Sequence, residues 1–97
     1  MSAIDPLAGL DLEVYSAAWC PDCRRLDAWL AAHRVAHQKV DIETVPGAAE
    51  QLERETGKRA IPYVRVDGGR WVRGYHKELP QRFDGDLFVE EVLGSGQ

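Results

Sequence analysis

Two cysteines, the only ones in 97 residues, stand three apart in Trp19-Cys20-Pro21-Asp22-Cys23. That spacing suits thiol–disulfide exchange if a helix begins at the motif. The first turn of a helix presents backbone N–H groups without intrahelical partners and the positive end of the macrodipole, and both favour a thiolate over a thiol. Cys20 is then the expected nucleophile. Cys23 returns to the same face about one turn deeper, where it can attack a mixed disulfide at Cys20 and release the product. Pro21 fits the first helical position, since the N–H it lacks would have had no partner there. Three other readings of a C-x-x-C pair stand beside this one: a structural disulfide, half of a zinc site, or two small buried residues near a helix start.

What must position the motif is an alternation of short strands and helices. Leu12-Glu13-Val14-Tyr15-Ser16 alternates apolar and polar, which predicts a first strand. A helix over 21–34 follows, with Cys23, Leu26, Trp29, Leu30 and His33 on one face and Trp29 in the core. Residues 38–42 predict a second strand. Pro46 opens a second helix that runs through Glu55 and is closed by Thr56-Gly57. A third strand over 61–66 turns through Asp67-Gly68-Gly69 into a fourth at Arg70-Trp71-Val72, forming a hairpin. Asp84-Gly85 breaks the pattern, and Asp86 caps a last helix over 87–93, ended by Gly94. Residues 1–10 show no periodicity and are expected to be a loosely held lead-in. The order predicts one α/β domain spanning 1–97, with strands one and two parallel and the hairpin antiparallel, a four-stranded mixed sheet flanked by helices.

Composition narrows the function classes. With 44% hydrophobic and 29% charged residues the chain suits one soluble globular domain rather than a disordered one. No apolar run nears the ~20 residues of a membrane span, so no membrane partner is expected. Met1-Ser2-Ala3-Ile4-Asp5-Pro6 has neither a basic n-region nor a long apolar stretch. That gives the expectation of a cytoplasmic protein, where a lone cysteine pair is catalytic or metal-binding rather than structural. The net charge of −4 argues against general nucleic-acid binding. The charge is uneven, however: residues 1–56 carry ten acids against five bases, whereas residues 57–82 carry seven bases against Asp67 and Glu78. The later stretch reads as a solvated surface or as a patch that attracts the carboxylates of a small thiol or an acidic protein.

Ile61-Pro62 begins the expected third strand. A cis bond there would turn the N–H and C=O of Ile61 outward beside the cysteine pair, while a trans proline at a strand edge is the plainer local reading. Taken together, Tyr15-Ser16, Trp19-Cys20-Pro21-Asp22-Cys23-Arg24-Arg25, Thr56-Gly57-Lys58-Arg59-Ala60-Ile61-Pro62-Tyr63-Val64, Val66-Asp67-Gly68 and Gly74-Tyr75 resemble the glutaredoxins, of the thioredoxin fold. The similarity spans most of residues 12–79. It implies a thioredoxin-like fold, Cys20 as the attacking thiol, Cys23 as the resolving one and a cis Pro62. It also implies substrate contacts from Trp19, Arg59, Ile61, Pro62, Gly74 and Tyr75, with the position of Arg59 meeting a glutathione carboxylate and the Ile61 backbone pairing with the cysteinyl part. Glutathione is then the co-substrate, disulfide-containing proteins are the substrates, and neither a bound cofactor nor a metal is needed.

The departures from that pattern carry information. Many glutaredoxins place a lysine three residues before the first cysteine, where this chain has Ala17. Their tyrosine between the cysteines is Asp22 here, whose charge opposes a thiolate at Cys20 unless it points into solvent or pairs with Arg25 or Arg59. Their double glycine with its polar and acidic pair is replaced by Arg73-Gly74-Tyr75-His76-Lys77-Glu78. The run from Trp71 to Glu78 is similar instead to the redoxins that feed electrons to ribonucleotide reductase and are recharged by thioredoxin reductase. Two other functions fit parts of the pattern. Cys20, Cys23, His33 and His37 supply C-x2-C and H-x3-H for a zinc module, though nine residues separate the pairs where a finger wants about twelve. A cluster scaffold would instead use Cys20 of two chains and two free thiols to hold iron and sulfide.

Overall fold

The central strand is the one apolar toward both sides of the sheet. In β1 (Leu12–Ser16) every residue but Glu13 is buried, as a strand paired along both edges and covered on both faces requires. It pairs in parallel with β2 (Gln38–Asp41), Tyr15 opposite Val40, and antiparallel with β3 (Tyr63–Val66), Val14 opposite Val64. β3 in turn pairs antiparallel with β4 (Arg70–Arg73), which gives the order β2-β1-β3-β4. The hairpin turn takes left-handed backbone at Asp67 (φ 53) and Gly68 (φ 71), residue types that tolerate it. The computed structural model describes residues 7–94.

Helices cover both faces. Leu12, Val14, Val64, Val66 and Val72 pack with Leu26 and Leu30 of α1 (Pro21–Ala32) and with Phe88, Val89 and Val92 of α3 (Gly85–Leu93). On the other face Tyr15 packs with Ala48 and Leu52 of α2 (Ala48–Thr56), flanked by Val40, Ile42, Ile61, Tyr63 and Trp71. This is the mixed four-stranded sheet with flanking helices that the strand and helix order predicts. Arg70 fastens the outer strand to α3: its guanidinium donates to the carbonyls of Glu91 (3.2 Å) and Val92, at a helix end with no basic residue of its own in the last turn.

Several boundaries differ from expectation, each for a local reason. Leu7 is 3% exposed and belongs to the larger core cluster, so the loose lead-in does not extend to it; residues 1–6 of that lead-in lie outside the described residues. Pro46 does not open α2. Val45 N–H bonds back to Asp41 O (2.9 Å), and the helix starts two residues after Pro46 behind a left-handed Gly47 (φ 81). β3 begins at Tyr63 rather than Ile61, because Pro62 has no N–H and contributes only its carbonyl, to Gly74 N–H at 2.8 Å. α3 is capped by Asp84, whose side chain accepts from Leu87 N–H at 3.0 Å, and not by Asp86, which lies inside the first turn.

Candidate active site

β1 runs directly into the dithiol motif. Cys20 is the N-cap of α1: its φ/ψ of −88/116 is extended, and its sulfur accepts the N–H of Cys23 at 3.1 Å where a serine or aspartate oxygen usually would. Pro21 takes the first helical position, and Arg24 N–H closes the turn on Cys20 O at 3.1 Å. Both thiols are free. Cys20 keeps 5% of its surface and Cys23 4%, so the sulfurs sit at the floor of the motif. Burial first, and then the hydrogen bond with Cys20, push the Cys23 thiol up to about 12, which keeps it protonated at neutral pH.

Asp22 does not face solvent as a bare charge. Arg82 bonds both its oxygens, Nε to Oδ1 at 3.0 Å and Nη2 to Oδ2 at 2.7 Å, and Arg25 Nη1 adds a contact to Oδ1 at 2.5 Å. The bonds from Arg82 hold the carboxyl below the usual carboxylate range against the opposing effect of burial. Of the two partners expected for Asp22, Arg25 is present and Arg59 is not. Arg59 is held by α2 instead, Nε to Glu53 Oε1 at 2.8 Å, with Glu50 at 4.0 Å.

The Ile61-Pro62 bond is cis. The Ile61 carbonyl lies 4.0 Å from Cys20 Sγ, so the second constellation of the sequence does meet the first. Gly74 is buried behind it, and a Cβ there would stand 2.7 Å from Leu26 Cδ2 and 3.1 Å from both the ring and the carbonyl of Pro62. Only glycine lets the chain pass between the helix and the proline. Tyr75 is half-buried with its ring 6.2 Å from that of Tyr63; burial, then Tyr63, raise its phenol. Trp19, beside the nucleophile, is 60% exposed and donates its indole N–H to Glu43 at 2.8 Å.

Sequence reasoning did not single out His76 on its own. It is completely buried, its Nδ1 accepts the N–H of Asp84 at 3.0 Å, and its Nε2 therefore carries a proton toward Glu91 Oε1 at 3.1 Å. Glu91 also receives Arg73 Nη2 (2.8 Å), and the same guanidinium reaches Glu78 (2.8 Å). No periodicity or motif marks such a network. The histidines of the zinc reading lie elsewhere: His33 lies against Trp29 with ring centroids 4.7 Å apart and planes tilted by 43°, and His37 Nδ1 lies 2.9 Å from Val35 O. Among the described residues no group of three or more His, Cys, Asp or Glu is placed to hold a metal ion, and no helix is long and apolar enough to cross a membrane.

The glutaredoxin family model matches residues 12–71. A putative glutaredoxin of Mycobacterium tuberculosis is 39% identical over 59 residues, covering 60% of this chain and 70% of that one. Glutaredoxin 3 of Escherichia coli is 26% identical over 57 residues (59% and 69%), and the glutaredoxin-like protein NrdH of Lactococcus lactis 33% over 54 residues (56% and 74%). Among solved structures, the glutaredoxin of Archaeoglobus fulgidus superposes with a TM-score of 0.63 at 17% identity over 96% of both chains. That last similarity is one of fold.

Proposed function

Since the chain belongs to the glutaredoxin family and is a thiol–disulfide oxidoreductase, we propose that Cys20 attacks and Cys23 resolves in the reduction of protein disulfides or glutathione mixed disulfides. The Cys20 thiolate bonds to one sulfur of the substrate, the S–S bond breaks, and the departing thiolate takes up a proton. Cys23 then gives up its proton and attacks the Cys20 sulfur, releasing the second substrate thiol and leaving a Cys20–Cys23 disulfide. Two electrons pass from the dithiol to the substrate. A protein substrate needs both steps; on a glutathione mixed disulfide the first step and a second glutathione suffice.

The observation that carries this reading is the N–H of Cys23 aimed at the Cys20 sulfur at the start of α1. That donor suits a sulfur bearing negative charge, while the buried Cys23 stays protonated until the first step has occurred. The reading assigns Ile61 and Pro62 the backbone edge against which the substrate lies, Trp19 and Tyr75 its apolar walls, and Gly74 the close passage that keeps the wall in place. Arg59 meets a glutathione carboxylate after exchanging its exposed pairing with Glu53, a solvent-screened surface contact that is readily given up. No bound cofactor is invoked. A cytoplasmic setting belongs to the same reading, because a reducing dithiol works where a thiol pool keeps it reduced. Cys20→Ser should abolish turnover of an artificial disulfide in a reductase-coupled assay, and persistence of turnover would refute the assignment. Cys23→Ser should lose protein-disulfide reduction and keep activity on glutathione mixed disulfides.

A second reading concerns the electron donor. A position that resemblance gives to glutathione is occupied from within, Arg59 by Glu53, and Glu78 of the redoxin-like run is paired with Arg73. Ala17 is buried and uncharged. These features favour recharging by thioredoxin reductase and delivery to ribonucleotide reductase. Offering the oxidised protein either glutathione with its reductase or thioredoxin reductase, and titrating the thiols that return, separates the two donors.

A further inference from the structure

Asp22 and Arg82 are 60 residues apart in the chain, yet their side chains meet edge to edge. The carboxylate lies in the middle of the dithiol motif with 17% of its side chain exposed. Arg82 is delivered to it by an unusual backbone. Its φ of 64 is left-handed, and it is anchored on both sides, its N–H to Leu79 O (3.0 Å) and its C=O to His76 N–H (2.7 Å). A non-glycine residue in that conformation calls for a reason. A solitary carboxylate two residues past Cys20 would disfavour a negative sulfur there. With guanidinium groups from Arg82 and Arg25 on it, the cluster carries a net positive charge.

Resting on the reading of Cys20 as the attacking thiol, we propose that Arg82 is a positioning residue for the dithiol reaction: gripped by Asp22, its guanidinium sets the charge at the Cys20 sulfur. That sulfur takes the N–H of Cys23 and has the Ile61 carbonyl 4.0 Å away; Asp22, between the two cysteines on α1, carries Arg25 from its own helix and Arg82 from the segment before α3. A negative Cys20 in turn adds to the hold on the Arg82 cation, after Asp22 itself and Tyr75. The carboxylate thus serves as a bracket for a cation carried in from far along the chain. Neutralising the bracket to Asn, whose amide oxygen still accepts from Arg82 while the bonds to Leu79 and His76 hold the Arg82 backbone, and removing the cation have opposite electrostatic consequences, whereas a bridge that only stabilised the fold would respond to both losses alike.

The test is the pH dependence of carboxamidomethylation of Cys20 by iodoacetamide in the reduced full chain, compared among wild type, Asp22→Asn, Arg82→Gln, Arg82→Lys and the Asp22→Asn/Arg82→Gln double variant. The pH of half-maximal rate should fall in Asp22→Asn and rise in Arg82→Gln, each by roughly half to one unit. It should return close to wild type in the double variant and stay there in Arg82→Lys. Midpoints that move in the same direction, or that do not move, would overturn the proposal. If circular dichroism showed Arg82→Gln unfolded, Asp22→Asn and Arg82→Lys decide alone, a downward shift in the first with none in the second supporting it and any other pair of results refuting it. Failure of the underlying reading looks different: Cys20→Ser would then leave the rapid modification in place.

Discussion

Replacing Gly85 by alanine should weaken the fold even though the residue is helical. In a helix interior alanine is favoured over glycine by about 1 kcal/mol, and by less in the first turn, where Gly85 sits. Against that gain, the new methyl would stand 2.3 Å from Trp29 Nε1, 2.8 Å from Cε2 and 3.1 Å from Cζ2. The obstacle is a rigid indole with no flexible end to yield. Nor is Trp29 free to step aside, because it is edge-on to Phe88 (5.6 Å) and Phe83 (5.8 Å) and lies against the tilted ring of His33 (4.7 Å). Overpacking of this kind costs about 1–3 kcal/mol, so the net loss should be about 1–2 kcal/mol. For a domain of this size that lowers Tm by roughly 5–15 °C. Urea and thermal unfolding followed by far-ultraviolet circular dichroism would measure it. Trp29→Leu should also destabilise, but combined with Gly85→Ala it should cost less than the sum by about 1 kcal/mol or more, since the obstacle is gone. A Gly85→Ala protein as stable as wild type, or strict additivity, would refute the steric argument.

Asp84→Ala should cost about 1 kcal/mol through loss of the α3 cap. Asp86→Ala should lower stability by clearly less, and equal losses in urea unfolding would show that the cap is misplaced. In the reduced native protein iodoacetamide should add one group per chain at pH 8, with the second thiol labelled only after denaturation. A thiol titrating at about 12 is ionised at pH 8 to only about one part in ten thousand. The sign of the linkage follows from the same value. Native Cys23 holds its proton more tightly than the unfolded thiol, so this contribution to stability is complete below the unfolded value near 9 and is lost as pH rises from there toward about 12. Rapid double labelling of native protein at pH 8 would contradict the burial argument.

The parts of the molecule legible in the sequence are those whose cause is local. Alternation in Leu12–Ser16, the Asp67-Gly68-Gly69 turn and the apolar face through Cys23, Leu26, Trp29 and Leu30 each report a single element, and each is where periodicity places it. The dithiol at a helix start was legible for the same reason. What the chain conceals is set by contacts between distant segments. Asp84-Gly85 reads as a break because glycine is a poor helix former, yet glycine is there because Trp29 fills the space a side chain would need. Asp22 has Arg25 within one turn, but its better partner arrives from position 82, while Arg59 is captured by the helix it follows. The buried His76, joined to Glu91 and to the Asp84 amide, carries no pattern at all.

The fastening of Arg70 onto the carbonyls of Glu91 and Val92 ties the fate of two outer elements together. Should β4 peel away from its neighbour, α3 would lose the guanidinium that holds those two carbonyls, and fraying of one would invite fraying of the other. The outer margin of the sheet and the C-terminal helix are therefore expected to breathe as one unit, and the loop that carries Arg82 hangs between them.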